Sequence, residues 1–310
     1  SVLIWRLNEI REINQLMGHE AAVNVAKFSN SGKLLATAGD DAKIFLWDTN
    51  NSIISPSTHF ILYDHTAKVV DIDFSKDDRY LASASWDHSI KIWNVKTGEL
   101  IQSILGHDGP VNSVKFSDDG QFLYSAGYDG KIKYWRLSDG IELRTLVDNG
   151  WGVNVLVVDE TKDLLLYGTI DGLMKIKSLN DQQVFMKIWE EGAPVSALNY
   201  YPDYQKAVFG NMNGRVIFVD LDEMKVQKDF LAVDGPVWDV VYNFESESVI
   251  IGGLDDTLIE WRLKSFHSNY FLPENKDRRF QKTDALNNGA LQFARKCSIC
   301  HTLDSSEVGR

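Results

Sequence analysis

Long apolar runs are missing from this chain of 310 residues. A helix that crosses a bilayer needs about 20 consecutive apolar residues, whereas the longest aliphatic stretches, Leu164-Leu165-Leu166 and Val153 to Val158, have the length of strands. The chain is therefore read as not integral to a membrane. Basic residues are also scarce: 32 Lys and Arg against 44 Asp and Glu leave a net charge of -12. A phosphate backbone is held by lysine and arginine, so this balance argues against nucleic acid and for cationic or neutral partners. The N-terminus shows neither an initiator Met nor a basic-then-apolar leader. Ser1-Val2-Leu3-Ile4-Trp5-Arg6-Leu7 reads as the middle of a strand, and the true start is expected upstream of it. Cysteine is nearly absent, Cys297 and Cys300 being the only two. Residues 1–265 hold no distinctive metal-ligand cluster and no activated nucleophile, and the lone His59, His88 and His267 read as exposed loop residues. No catalytic residue is assigned.

What is present is repetition. Leu3-Ile4-Trp5-Arg6, Phe45-Leu46-Trp47-Asp48, Lys91-Ile92-Trp93-Asn94 and Lys133-Tyr134-Trp135-Arg136 share one pattern, which continues without Trp at Lys175-Ile176-Lys177 and Ile217-Phe218-Val219 and returns at Ile259-Glu260-Trp261. The seven centres, at 5, 47, 93, 135, 177, 219 and 261, are 42 residues apart except for one step of 46. A four-stranded propeller blade has a period of about 40–45 residues. The longer step falls on Asn50 to Ser57, a stretch rich in turn formers that is expected as an enlarged loop. Within a period, strand-sized runs alternate with turns, as in Val111 to Phe116, Ser117 to Gly120 and Phe122 to Ala126.

Gly18-His19, Asp64-His65 and Gly106-His107 each place a His 28 residues before Trp47, Trp93 and Trp135. With these pairs the chain resembles the WD40 family. That resemblance implies a structural tetrad in each of three copies: His19, Thr37, Asp41 and Trp47; His65, Ser83, Asp87 and Trp93; His107, Ser125, Asp129 and Trp135. His, Asp and Ser together also suggest hydrolysis, but a catalytic triad would not recur in three consecutive copies. Later copies keep only Asp171, Asn213 and Asp255 at the turn and are expected to hold together by apolar packing. The resemblance implies an all-β, seven-bladed WD40-type β-propeller over 1–265, its first blade incomplete at the N-terminus. The two inner strands of that blade are expected upstream of Ser1, with Phe266 to Leu272 as the other candidate.

The period stops after Arg262. Residues 266–282, charged and Pro-containing, read as a linker, and 283–310 read as a helix leading into Cys297-Ser298-Ile299-Cys300-His301. Zinc binding would need a second ligand pair, and a thioredoxin-like pair would need a βαβ setting. Gly289 and Phe293, spaced four apart before Cys297, resemble the first helix of class I c-type cytochromes. This implies covalent haem c on Cys297 and Cys300, with His301 as the axial ligand of the haem iron (its metal site), in the N-terminal part of a cytochrome c domain. The distal ligand would lie beyond Arg310.

Two functions follow as expectations. One is a periplasmic bacterial electron carrier, not an enzyme, whose propeller docks protein redox partners. The alternative is a non-enzymatic WD40 interaction scaffold with an incidental tail, its partners met by Trp86, Tyr128, Trp151 and Trp238, which adjoin turns or strand starts.

Overall fold

The computed structural model describes residues 2–6, 11–49, 57–181, 183–189, 192–244, 246–253, 258–262 and 278–280. The described chain forms six four-stranded antiparallel sheets and one two-stranded sheet, each with strands in consecutive order. Blade 1 comprises Val23–Phe28, Leu34–Gly39, Lys43–Asp48 and Ser57–Tyr63. Blade 2 comprises Val69–Phe74, Tyr80–Ser85, Ser89–Asn94 and Leu100–Leu105. Blade 3 follows with Val111–Phe116, Phe122–Gly127, Lys131–Arg136 and Ile141–Asp148. Blade 4 comprises Val153–Asp159, Leu164–Thr169, Leu173–Ser178 and Val184–Trp189. Blade 5 comprises Val195–Tyr201, Lys206–Asn211, Arg215–Asp220 and Lys225–Leu231. Blade 6 has Asp239–Asn243, Ser248–Gly252, Leu258–Arg262 and Arg278–Phe280.

Burial explains the composition of these strands. Second strands such as Leu164–Thr169 are buried on both faces and read as continuous small or apolar runs, whereas fourth strands such as Leu100–Leu105 are mostly exposed. The first strand of blades 1 to 5 carries a register shift after its opening Val, at Val23, Val69, Val111, Val153 and Val195. A bulge of this kind adds local twist, and its recurrence gives these five blades the same inner edge. Each pair of neighbouring blades shares its own apolar cluster. Ile44, Leu46, Leu62, Val69 and Ile72 join blades 1 and 2, while Val195, Phe209 and Ile217 meet Leu166 and Ile176 between blades 5 and 4. Apolar packing in the later copies is thus observed, as anticipated.

Two expectations are corrected. Complete blades among the described residues number six rather than seven. Counting third strands credits Val2–Arg6 with a whole blade, yet among the described residues it pairs only with Arg11–Leu16. Phe266 to Leu272 lies outside the described residues. Second, the linker assigned to 266–282 contains a strand: Arg278, Arg279 and Phe280 pair with Glu260, Ile259 and Leu258 as the outer strand of blade 6. Outer strands here are largely exposed and polar, so a charged segment can serve as one. No α-helix occurs among the described residues, whose one helical element is a 3-10 turn at Pro202–Tyr204. The cytochrome-like segment 283–310 lies outside them, as does most of the enlarged loop at 50–56. His59 sits on the outer strand of blade 1 rather than in a loop, and His88 is an exposed turn residue. No helix among the described residues is long and apolar enough to cross a membrane.

Candidate functional site

The three tetrads assemble at one end of blades 1 to 3, where the second and third strands turn. His19 Nδ1 lies 2.8 Å from Asp41 and its Nε2 2.9 Å from the Thr37 hydroxyl, to which Trp47 Nε1 donates at 3.0 Å. Blade 2 repeats this with His65 to Asp87 at 2.7 Å, His65 to Ser83 at 2.7 Å and Trp93 to Ser83 at 2.9 Å. Blade 3 has His107 to Asp129 at 2.9 Å, His107 to Ser125 at 2.7 Å and Trp135 to Ser125 at 2.7 Å. One proton order satisfies every group: the indole N–H donates to the hydroxyl, the hydroxyl to Nε2, and Nδ1–H to the carboxylate.

Each carboxylate also accepts backbone N–H groups from both loops it joins. Asp129 accepts from Asp108 at 3.0 Å and Lys131 at 3.1 Å, and Asp87 from Thr66 and Ser89, both at 3.0 Å. Burial works to raise the Asp129 carboxyl, but the hydrogen bond from His107, with those from the backbone of Lys131 and Asp108, outweighs it and holds the group at about 2. Asp41 and Asp87 are lowered in the same way, against burial, by His19 and His65. The hydroxyls of Thr37, Ser83 and Ser125 are fully buried and already hold two ring nitrogens each. No substrate carbonyl can approach them, so these sets are structural clamps. In blade 3 the clamp needs Gly127, because a Cβ there would stand 2.4 Å from His107 Nδ1 and 2.5 Å from Asp129.

The clamps fix the turns that present the aromatics. Trp86 and Tyr128 directly precede Asp87 and Asp129, and their amides bond to the carbonyls of Lys68 at 3.0 Å and Pro110 at 2.7 Å. Trp86, Tyr128 and Trp151 are 41%, 53% and 59% exposed. Lys68 Nζ stands 3.3 Å from the centroid of Trp86, and the backbone of Trp151 packs 3.0 Å from where a Cβ on Gly130 would sit. Three of the four aromatics singled out are therefore open on neighbouring blades. Trp238 is half-buried, and its Nε1–H has no partner among the described residues.

A second device was missed. Near the inner edge of the blades, Asn24 donates to the Val69 carbonyl at 2.9 Å, Asn112 to Val153 at 3.0 Å, Asn154 to Val195 at 3.0 Å and Ser196 to Val237 at 2.5 Å. Each polar side chain thus staples its blade to the next. The signal was available, since a polar residue follows the opening Val of the strand in four copies. Between blades 2 and 3, Asp71 adds a half-buried charge that accepts from Ser113 at 2.7 Å, Val114 N at 3.0 Å and Lys115 Nζ at 2.8 Å.

The motif residues Cys297, Cys300 and His301 lie outside the described residues, among which no cluster of metal-ligating side chains occurs. Residues 10–48, 56–94 and 98–136 match the family described as WD domain, G-beta repeat. These matched segments thus carry three WD40 repeats, within the all-β propeller described above. It is similar to the U5 small nuclear ribonucleoprotein 40 kDa protein of Dictyostelium discoideum, 35% identical over 32% of this chain and 27% of that protein. It is also similar to a chromatin assembly factor 1 subunit of Gallus gallus, 30% identical over 34% of this chain and 23% of the relative. Protein HIRA of Takifugu rubripes is 34% identical over 31% of this chain and 12% of its own length. The matches thus span about a quarter or less of these relatives.

Two expectations fall here. The first two relatives are named as a ribonucleoprotein protein and a subunit of a chromatin assembly factor, which overturns the reading of a haem electron carrier in favour of the interaction scaffold. All three come from eukaryotes, which overturns the bacterial periplasmic placement. None of the names is that of an enzyme, in keeping with the non-enzymatic reading of the chain.

Proposed function

We propose that this chain is a non-enzymatic interaction scaffold that holds a protein partner on the turn face of blades 2 to 4. The observation that carries this is the exposure of Trp86, Tyr128 and Trp151 on consecutive blades, two of them on turns locked by buried tetrads. Aromatics held on rigid turns lose little conformational entropy on binding, which is why Trp and Tyr dominate interface hot spots. Two of the named relatives are parts of larger assemblies, and the same role is assigned to this chain.

The test uses the full chain, tagged, to purify a partner that is then made pure and titrated against wild type and against Trp86→Ala and Trp151→Ala. Each substitution is expected to weaken that complex by about 2 kcal/mol, roughly thirtyfold, without altering thermal unfolding. Undiminished affinity in both variants would remove the turn face as the contact surface.

A further inference from the structure

Lysine recurs at one place in the third strand of three consecutive blades, as Lys91, Lys133 and Lys175. In blade 2 the ammonium of Lys91 is paired with the carboxylate of Asp64. In blade 3 Lys133 is paired with Glu142 at 2.7 Å and donates to the Gly106 carbonyl at 2.7 Å. Across the sheet from these lysines stand hydroxyl residues, Ser103 opposite Lys91 and Thr145 opposite Lys133. Two residues further on come the tetrad tryptophans, Trp93 and Trp135.

Blade 4 changes all three neighbours. Opposite Lys175 stands another lysine, Lys187. The tryptophan position is Lys177, only 4% exposed, with its ammonium 3.4 Å from the Leu146 carbonyl. The position of Glu142, opposite Trp135, is taken by Val184, opposite Lys177. Lys175 donates to Asn149 Oδ1 at 2.8 Å, and among the described residues neither it nor Lys187 has an ion pair.

Side chains at alternate positions and at directly opposed positions share one face of a sheet. Three lysines therefore converge where blades 2 and 3 each place one lysine and one carboxylate. Like charges directly opposed destabilise a sheet, and partial burial strengthens the repulsion. Burial and the charge of Lys187 push the Lys175 ammonium down, with Asp171 acting weakly the other way; burial and Lys175 do the same to Lys177 against Asp181. In a chain with a net charge of -12, such a cluster stands out.

We propose that this face of blade 4 binds a phosphoryl dianion through Lys175 and Lys187, with Lys177 adding charge from beneath, in the place that Glu142 fills in blade 3. A carboxylate would balance only one of the two ammonium groups of Lys175 and Lys187. A phosphoryl group carries a charge of about -1.5 to -2 near neutral pH and presents three acceptor oxygens, and lysine binds it as a point charge without demanding planar geometry. Lys187 is exposed and Lys175 half-buried, so the face is open to solvent. The cluster adjoins the loop that carries Trp151, through Asn149, but its test reads phosphate binding and not partner affinity, so the failure of one proposal leaves the other standing.

The experiment follows thermal unfolding and calorimetric titration of the full chain with inorganic phosphate, ionic strength being held constant with chloride. Wild type is expected to show a saturable rise in Tm. Lys187→Thr installs the residue found in blade 3, and Val184→Glu installs the carboxylate found there. Each is expected to weaken phosphate binding by about tenfold or more, the cost of losing or pre-empting a charge-assisted contact. Val184→Glu is also expected to raise Tm without phosphate. A phosphoserine peptide set against its unphosphorylated form separates the sources: tighter binding than inorganic phosphate marks a peptide-borne group, and equal binding marks the free anion. A phosphate response no larger than that of chloride, or one unchanged in Lys187→Thr, overturns the proposal; the exposed position of Lys187 keeps that variant informative even if Val184→Glu fails to fold.

Discussion

At the scale of single residues, the carboxylate of Asp129 shows how the tetrad holds its blade. Its side chain is 6% exposed, and it accepts from His107 and from two backbone amides. The folded state holds the carboxyl at about 2 against 3.8 for the free group. A depressed carboxyl contributes stability that is fully present above the unfolded value and is lost as pH falls through the folded one. Each pH unit of displacement corresponds to about 1.4 kcal/mol, so this one group contributes about 2 kcal/mol near neutrality. Urea unfolding between pH 5 and pH 2 is expected to show wild type losing about that much more stability than Asp129→Asn, most of it below pH 4. Parallel pH profiles for the two proteins would show that Asp129 is not held in this way. All twelve tetrad residues were legible in the sequence, because a fixed spacing recurred three times and each recurrence restricted the others. The lysine cluster was not legible, since Lys177 reads as an ordinary departure until Lys187 is known to stand beside it.

At the scale of strands and blades, the structure separates two kinds of cohesion. Apolar clusters fill each interface, and their residues follow the alternation that marks strands in the sequence. The inner staples are more specific, because Asn112 must reach one carbonyl, that of Val153, in the next blade. Removing it with Asn112→Ala leaves that carbonyl short of a partner and is expected to lower stability by about 1 kcal/mol. Asn154→Ala, which unties Val195 in the same way, should match it. Denaturant midpoints check both, and an unchanged midpoint in either variant would show that apolar contact alone sets the blade spacing. What the sequence concealed at this scale were outer strands. Arg278–Phe280 has the charged composition of a linker, and only its pairing with Leu258 to Glu260 reveals it as a strand. Composition identifies buried strands because burial demands apolar residues. It fails where a strand needs only its backbone bonds.

At the scale of the whole molecule, the clamps are unevenly distributed. Blades 1 to 3 each lock their turn with a complete tetrad, whereas in blade 4 the equivalent turn residue Asp171 is held by Thr169 within its own blade. Trp261, the one later tryptophan at the tetrad position, donates instead to the Ala232 carbonyl at 3.0 Å. In repeat architectures stability is approximately a sum of intrinsic and nearest-neighbour terms, so a difference between blades appears as a difference in local opening. Native-state hydrogen exchange is expected to show the indole N–H groups of Trp47, Trp93 and Trp135 exchanging at least about tenfold more slowly than that of Trp261, and the second-strand amides of blades 1 to 3 more slowly by the same factor than those of blades 4 to 6. Binding at the turn face would draw on the protected half, which carries Trp86 and Tyr128, while the lysine face of blade 4 lies just beyond it. Phosphate should therefore slow exchange in blade 4 alone and leave blades 2 and 3 unchanged. Uniform protection across all six blades would mean that apolar packing, common to every interface, outweighs the tetrads in setting local stability.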